Sequence, residues 1–186
     1  MIKPRVAPYG SWKSPITSEL VASAAMRLGQ IALDGPDVYW VEARPMEGGR
    51  NVVVRWTPDG RVADVTPAPF NARTRVHEYG GGALAVSDGT VYFSNFADQR
   101  LYRQEAGASP LPITPEARLR YADGVIDHRR SRMICVREDH MVQGREAVNI
   151  IVAFDLASDR GGRVLVSGND FYSSPRLNGD GTRLAY

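Results

Sequence analysis

The chain of 186 residues holds a single cysteine, Cys135, which excludes an internal disulfide and any cysteine-based zinc site. Lysine occurs only at Lys3 and Lys13, so nearly all positive charge is arginine; 23 basic against 21 acidic side chains leave a formal net charge of +2. That near balance argues against nucleic acid as a partner, because polyanion binding rests on an excess of cations. No run approaches the roughly 18 apolar residues that span a membrane, and Met1-Ile-Lys-Pro-Arg5 leads into polar sequence without an apolar signal core. A soluble, cytoplasmic protein with no membrane partner is the expectation. The three histidines, His77, His128 and His140, lack metal-ligand spacing such as His-Glu-x-x-His, so no metal and no cofactor is implied.

Glycine (18) and proline (12) are plentiful, and they are spread along the chain instead of gathered in a linker. They punctuate short runs rich in Val, Ile, Tyr and Phe, such as Asn51-Val-Val-Val-Arg-Trp56, Thr90-Val-Tyr-Phe93, Arg132-Met-Ile-Cys-Val136 and Asn149-Ile-Ile-Val-Ala-Phe154. Breakers between such runs are the pattern of many short strands. Only Thr17 to Leu28 reads as a helix, with Thr17 or Ser18 as N-cap and Gly29 as the stop. The fold class is all-β.

A repeat organises these strands. Tyr79, Tyr121 and Tyr172 are each followed five positions on by an aliphatic residue (Leu84, Ile126, Leu177) and seven further on by a second apolar run (from Val91, Met133, Leu184). Between the two runs lies a turn: Ser87-Asp-Gly-Thr90, Asp127-His-Arg-Arg-Ser131 or Asn178-Gly-Asp-Gly-Thr182. The same spacing runs from Met26 through Ile31 to Val38, and the repeat length is 42 residues from Tyr79 to Tyr121. Four antiparallel strands in some 40–50 residues is the size of a β-propeller blade. Blades are therefore expected at about 26–67, 79–115 and 121–168, with a partial one from 172, after an N-terminal segment 1–25. Three and a half blades make an incomplete ring, so the sequence reads as the N-terminal piece of a longer protein.

Arg75-Val-His-Glu-Tyr-Gly-Gly-Gly82 resembles the first-blade motif of prolyl oligopeptidase-family serine peptidases, in the dipeptidyl aminopeptidase/acylaminoacyl-peptidase-like group. Tyr9-Gly-Ser-Trp-Lys-Ser-Pro-Ile-Thr17, Val136-Arg-Glu-Asp-His140 and Asp170-Phe-Tyr-Ser-Ser-Pro-Arg-Leu177 resemble the same group in the same order; Asn178-Gly-Asp-Gly181 departs from the usual Ser-Pro-Asp-Gly. The resemblance implies an N-terminal propeller that covers a C-terminal α/β-hydrolase domain carrying a Ser-Asp-His triad. Peptide substrate and that domain are then the partners; a homo-oligomer is left open. The Gly-x-Ser-x-Gly elbow that exposes such a serine is absent from these residues. No catalytic residue is assigned, and the piece alone is expected to be inactive.

In a propeller, the links between blades and the loops joining second to third strands open on one face. This gathers Arg73, Arg75, His77 and Glu78 with Arg137, Glu138, Asp139 and His140, the candidates for contact with substrate or with the missing domain. Glu78 and Glu138 suit a charge-assisted bond from a substrate's α-amino group; the arginines suit a carbonyl or carboxylate. Alternatively these charges pair with one another and bridge blades. Gly80-Gly-Gly82 is followed by strand-like sequence, which favours close packing near the propeller axis over a phosphate cradle. Two other readings stay open: a non-catalytic propeller scaffold for protein partners, and a self-contained propeller hydrolase with a central metal.

Overall fold

The computed structural model describes residues 6–22, 25–156 and 162–186. It is built from three four-stranded antiparallel meanders followed by a two-stranded piece, the architecture of an incomplete propeller. Blade 1 comprises β1 (Arg27–Asp34), β2 (Asp37–Arg44), β3 (Arg50–Trp56) and β4 (Val62–Asp64). Blade 2 comprises β5 (Leu84–Ser87), β6 (Thr90–Ser94), β7 (Leu101–Gln104) and β8 (Leu111–Pro112). Blade 3 comprises β9 (Leu119–Asp127), β10 (Arg132–Asp139), β11 (Val148–Asp155) and β12 (Arg163–Ser167); β13 (Arg176–Leu177) and β14 (Leu184–Ala185) follow.

The expected helix is shorter than its sequence pattern. Thr17 Oγ1 accepts the Leu20 N–H at 3.0 Å, the predicted N-cap, but α1 runs only over Ser18–Ala22. Arg27 and Leu28 instead pair with Ala43 and Glu42 in β1, because pairing with β2, resumed after an irregularity between Leu28 and Ile31, outweighs a weak helical preference. Residues 23 and 24 of that helix, and the leader Met1–Arg5, lie outside the described residues.

The apolar runs of blades 2 and 3 are continuous because these blades are covered on both faces, and the pleat sends alternate residues to opposite neighbours. Val91 and Phe93 join Tyr39, Val53 and Leu84 between blades 1 and 2, whereas Tyr92 points the other way. Met133, Cys135, Val152 and Phe154 fill the space between blades 2 and 3 with Tyr121. Ile134, Val136, Ile151 and Ala153 pack toward the fourth blade with Val76 and Tyr172. Each buried Val, Ile, Met or Phe side chain among these contributes about 1.5–3 kcal/mol. Cys135 is fully buried, and burial pushes its thiol well above the usual range, so it is an inert core residue.

The tyrosine repeat is two residues out of step in blade 2. Ile126 pairs with Met133 and Leu177 with Leu184, but Leu84 pairs with Phe93, and the pair next to the turn is Val86 with Val91. The cause is turn length: Asp88 and Gly89, both left-handed at φ 51° and 73°, close a two-residue hairpin, whereas blade 3 inserts a helical turn at His128–Arg130. A shift of two keeps each side chain on its sheet face. Tyr121 and Tyr172 are buried, whereas Tyr79, in the turn that precedes β5, is exposed.

Polar contacts stitch neighbouring blades at both ends of the inner strands. On the turn side, the Asp34 carboxylate accepts the N–H groups of Asp88 (3.1 Å) and Gly89 (2.6 Å). Arg130 donates across to the Gly181 carbonyl at 2.9 Å. The Asp127 carboxylate, with 1% of its side chain exposed, anchors that turn by accepting from Arg132 (2.8 Å) and Arg130 (3.1 Å). Burial pushes the Asp127 carboxyl up, but the two guanidinium contacts outweigh it and leave it below the ordinary carboxylate range. A depressed value adds stability above the unfolded pKa, near 3.9, and loses it as pH falls through the folded value. Asp127→Asn is therefore expected to cost about 2 kcal/mol at pH 7. The gap from wild type should narrow in urea titrations below about pH 4; a gap unchanged at low pH would show that charge is not its origin.

Candidate functional site

The link from β4 to β5 crosses the face opposite those turns. Ala72 is buried between blades 1 and 2, yet four residues later Val76 is buried between blades 3 and 4. To return to the axis the chain reverses sharply: His77 (φ 55°) and Glu78 (φ 62°) are both left-handed, a costly conformation for residues with a Cβ. Backbone bonds from Glu78 N–H to Arg75 O (2.9 Å) and from Gly80 N–H to Val76 O (2.8 Å) close the turn. Glu138 on β10 locks it, accepting the His77 N–H at 2.6 Å.

The glycine run that follows is a close-packing device, as its sequence suggests. A Cβ on Gly81 would stand 2.9 Å from Ala122 Cβ, and one on Gly82 would stand 2.7 Å from Asp123 Oδ1. Asp123 is the hub of the axis: its carboxylate accepts the N–H of Gly82 (2.6 Å) and of Ser174 (2.9 Å), and its own N–H donates to Gly82 O (2.7 Å). The Gln30 amide repeats this one blade earlier, bonding both the N–H and the carbonyl of Leu84. Inner strands of four successive blades are thereby joined in series.

The reversal at 75–80 forms one wall of a cleft of about 850 Å³, with the β10–β11 loop as a second wall and the entry to blade 4 as a third. Of the predicted residues, His77, Glu78, Glu138 and His140 line it. Their charges pair with one another to a large extent. Arg120 on β9 donates to Glu78 Oε1 (2.6 Å) and to the Arg75 carbonyl (2.8 Å), and stands 3.6 Å from Glu138. His140 Nε2 lies 3.1 Å from Glu138 Oε2. Glu138, with 5% of its side chain exposed, is thus occupied by internal partners. Glu78 is the open carboxylate, 67% exposed, and the Arg120 bond, with help from Arg75, holds its carboxyl below the usual range. It is an anion at neutral pH.

The other predicted residues sit apart from this lining. Arg75 reaches it only through Glu78, at 3.4 Å. The Arg73 guanidinium lies over the Phe96 ring, 4.8 Å from its centroid, on blade 2. Arg137 and Asp139 pair at 3.7 Å on the opposite face of β10 from Glu138, because side chains alternate along a strand. Asn95, which follows β6 in blade 2 and is not one of the predicted residues, is buried and ties its loop to the β4–β5 link, donating to Asp98 and accepting the Asn71 N–H. Sequence reasoning missed Arg120, Asn149 and Phe171. Phe171 falls inside the quoted motif 170–177; Asn149 is signalled only as the polar head of an apolar strand. Among the described residues no group of three metal-ligating side chains forms, and no helix is long and apolar enough to cross a membrane.

Comparison with known proteins places this arrangement. Over 97% of its length the chain superposes on a puromycin-hydrolyzing peptidase from Mycobacterium tuberculosis, with a TM-score of 0.87 and 38% identity. A second match, puromycin hydrolase, covers 94% of the chain with a TM-score of 0.83 and 37% identity. The chain spans 30% of the length of each of these proteins. Scans against family models and curated proteins return no match.

Proposed function

We infer that this chain, kin to puromycin-hydrolyzing peptidases of the prolyl oligopeptidase family, is the N-terminal propeller part of a serine peptidase that acts on short peptides and aminoacyl amides. The observation that carries the reading is the likeness at 38% identity and a TM-score of 0.87 across nearly the whole chain. The serine, aspartate and histidine of the triad belong to a C-terminal α/β-hydrolase domain; this piece supplies no reacting group. Its part is to admit short substrates and to hold their amino end.

The cleft suits that part chemically. Glu78 is ionised and exposed, so it accepts a substrate ammonium, while Arg120 and Arg75 fix its direction. Glu138 positions the turn that carries Glu78 and does not itself meet substrate. The proposal is tested on the full-length protein with puromycin and with a dipeptide p-nitroanilide, alongside the N-acetylated dipeptide. Glu78→Gln is expected to raise KM about tenfold for the free-amine substrates and to leave the acetylated one unchanged, in line with the loss of one charge-assisted bond. Absence of hydrolysis by the intact protein would sink the peptidase reading in favour of a scaffold; equal effects on blocked and free substrates would remove Glu78 from amine recognition.

A further inference from the structure

Residues paired across neighbouring antiparallel strands share a sheet face. Glu138 pairs with Arg120 on one side and Asn149 on the other, so the three form a polar row across blade 3 at its cleft end. Arg120 and Glu138 are consumed by contacts within the row and with the reversal at 75–80. Asn149 is not. It is 8% exposed, it lines the cleft, and its side-chain oxygen accepts no hydrogen bond among the described residues. His77 Nε2, also on the cleft, is likewise buried without a hydrogen-bond partner among those residues. A buried amide with an unmet acceptor is costly and uncommon, and the strand it heads continues as Ile150-Ile151-Val152, where an apolar residue would meet no such cost.

We propose that Asn149 is a specificity-determining residue of the cleft, whose side-chain amide bonds the main chain of a bound short peptide. The inference rests on the peptide-hydrolase reading above and adds a contact that is independent of the substrate's charge. The surroundings match that ligand class. Glu78 takes the ammonium; Phe171 and Val148, 66% and 58% exposed on the same cleft, offer apolar surface to a side chain. A peptide N–H supplies the donor that the Asn149 side-chain oxygen lacks.

The test uses the full-length protein with alanyl-phenylalanyl p-nitroanilide and its N-acetyl form. Asn149→Leu is expected to raise KM about tenfold for both substrates with kcat within about twofold, because a main-chain contact does not depend on the amine. Asn149→Thr, which suits a strand and keeps a hydroxyl, is expected to give an intermediate rise with an unchanged unfolding midpoint. KM within twofold of wild type for both variants overturns the assignment, even where Glu78→Gln still acts on the free amine. If the intact protein cleaves neither peptide, the peptidase reading falls, and calorimetric titration of the same uncleaved peptides decides the inference alone. Tenfold weaker binding by Asn149→Leu upholds it, and binding that is absent or unaffected overturns it.

Discussion

Glu138→Ala is expected to destabilise the propeller by about 3 kcal/mol, the cost of removing one partner from a buried charge cluster. The carboxylate has three jobs at once: it accepts the His77 N–H, contacts His140, and faces Arg120 at 3.6 Å. Its loss strands a backbone donor in a turn already held at two left-handed non-glycine residues, each costing on the order of 1–3 kcal/mol. The turn should open locally before the blades do. Hydrogen exchange at the His77 amide and tryptic cleavage after Arg75 should therefore both accelerate, and Glu138→Gln, which retains an acceptor, should recover much of the protection. A variant that keeps wild-type exchange at His77 would show that the turn is held by its own backbone bonds.

Gly82→Ala is expected to cost about 2–3 kcal/mol through overpacking. Its backbone lies outside the left-handed region, so alanine meets no conformational penalty there, and the added methyl is the whole perturbation. At 2.7 Å from Asp123 Oδ1 it forces that carboxylate away from the two N–H groups it holds, loosening blade 2 and blade 4 from blade 3 together. Gly179→Ala is the control: its added methyl would meet nothing within 4 Å and its φ is not left-handed, so it should be neutral or slightly stabilising. In an Asp123→Gly background the Gly82→Ala penalty should largely vanish, a non-additivity that a urea-based double-mutant cycle can measure. Additive costs would mean that the methyl is accommodated elsewhere.

These two positions also mark how far the chain can be read from sequence alone. The all-β class and the propeller architecture are legible because Val/Ile/Tyr/Phe runs with glycine punctuation encode strands locally, and the family resemblance is borne out by the superposed peptidases. Cys135 is legible for the same reason, as one of a row of apolar residues. The cleft is legible only in part. Proximity along the sequence groups 137–140, but pleating puts Glu138 and His140 on one sheet face and Arg137 with Asp139 on the other. A one-residue ambiguity of phase decides which charges meet, and composition carries no phase.

What the amino-acid order determined alone is what short-range chemistry decides: strands and breakers, the Thr17 cap and the Asp88-Gly89 hairpin. What only the tertiary structure decided is which distant groups neutralise one another. Glu78 finds Arg120 42 residues on, and His77 finds Glu138 61 residues on. Such pairings depend on how blades curve around an axis, a global property that no local window contains. The packed blades bury Glu138 among its partners, leave Glu78 exposed beside its arginines, and leave the Asn149 side-chain oxygen on the cleft without a partner among the described residues, a selection among many polar residues that local sequence does not make.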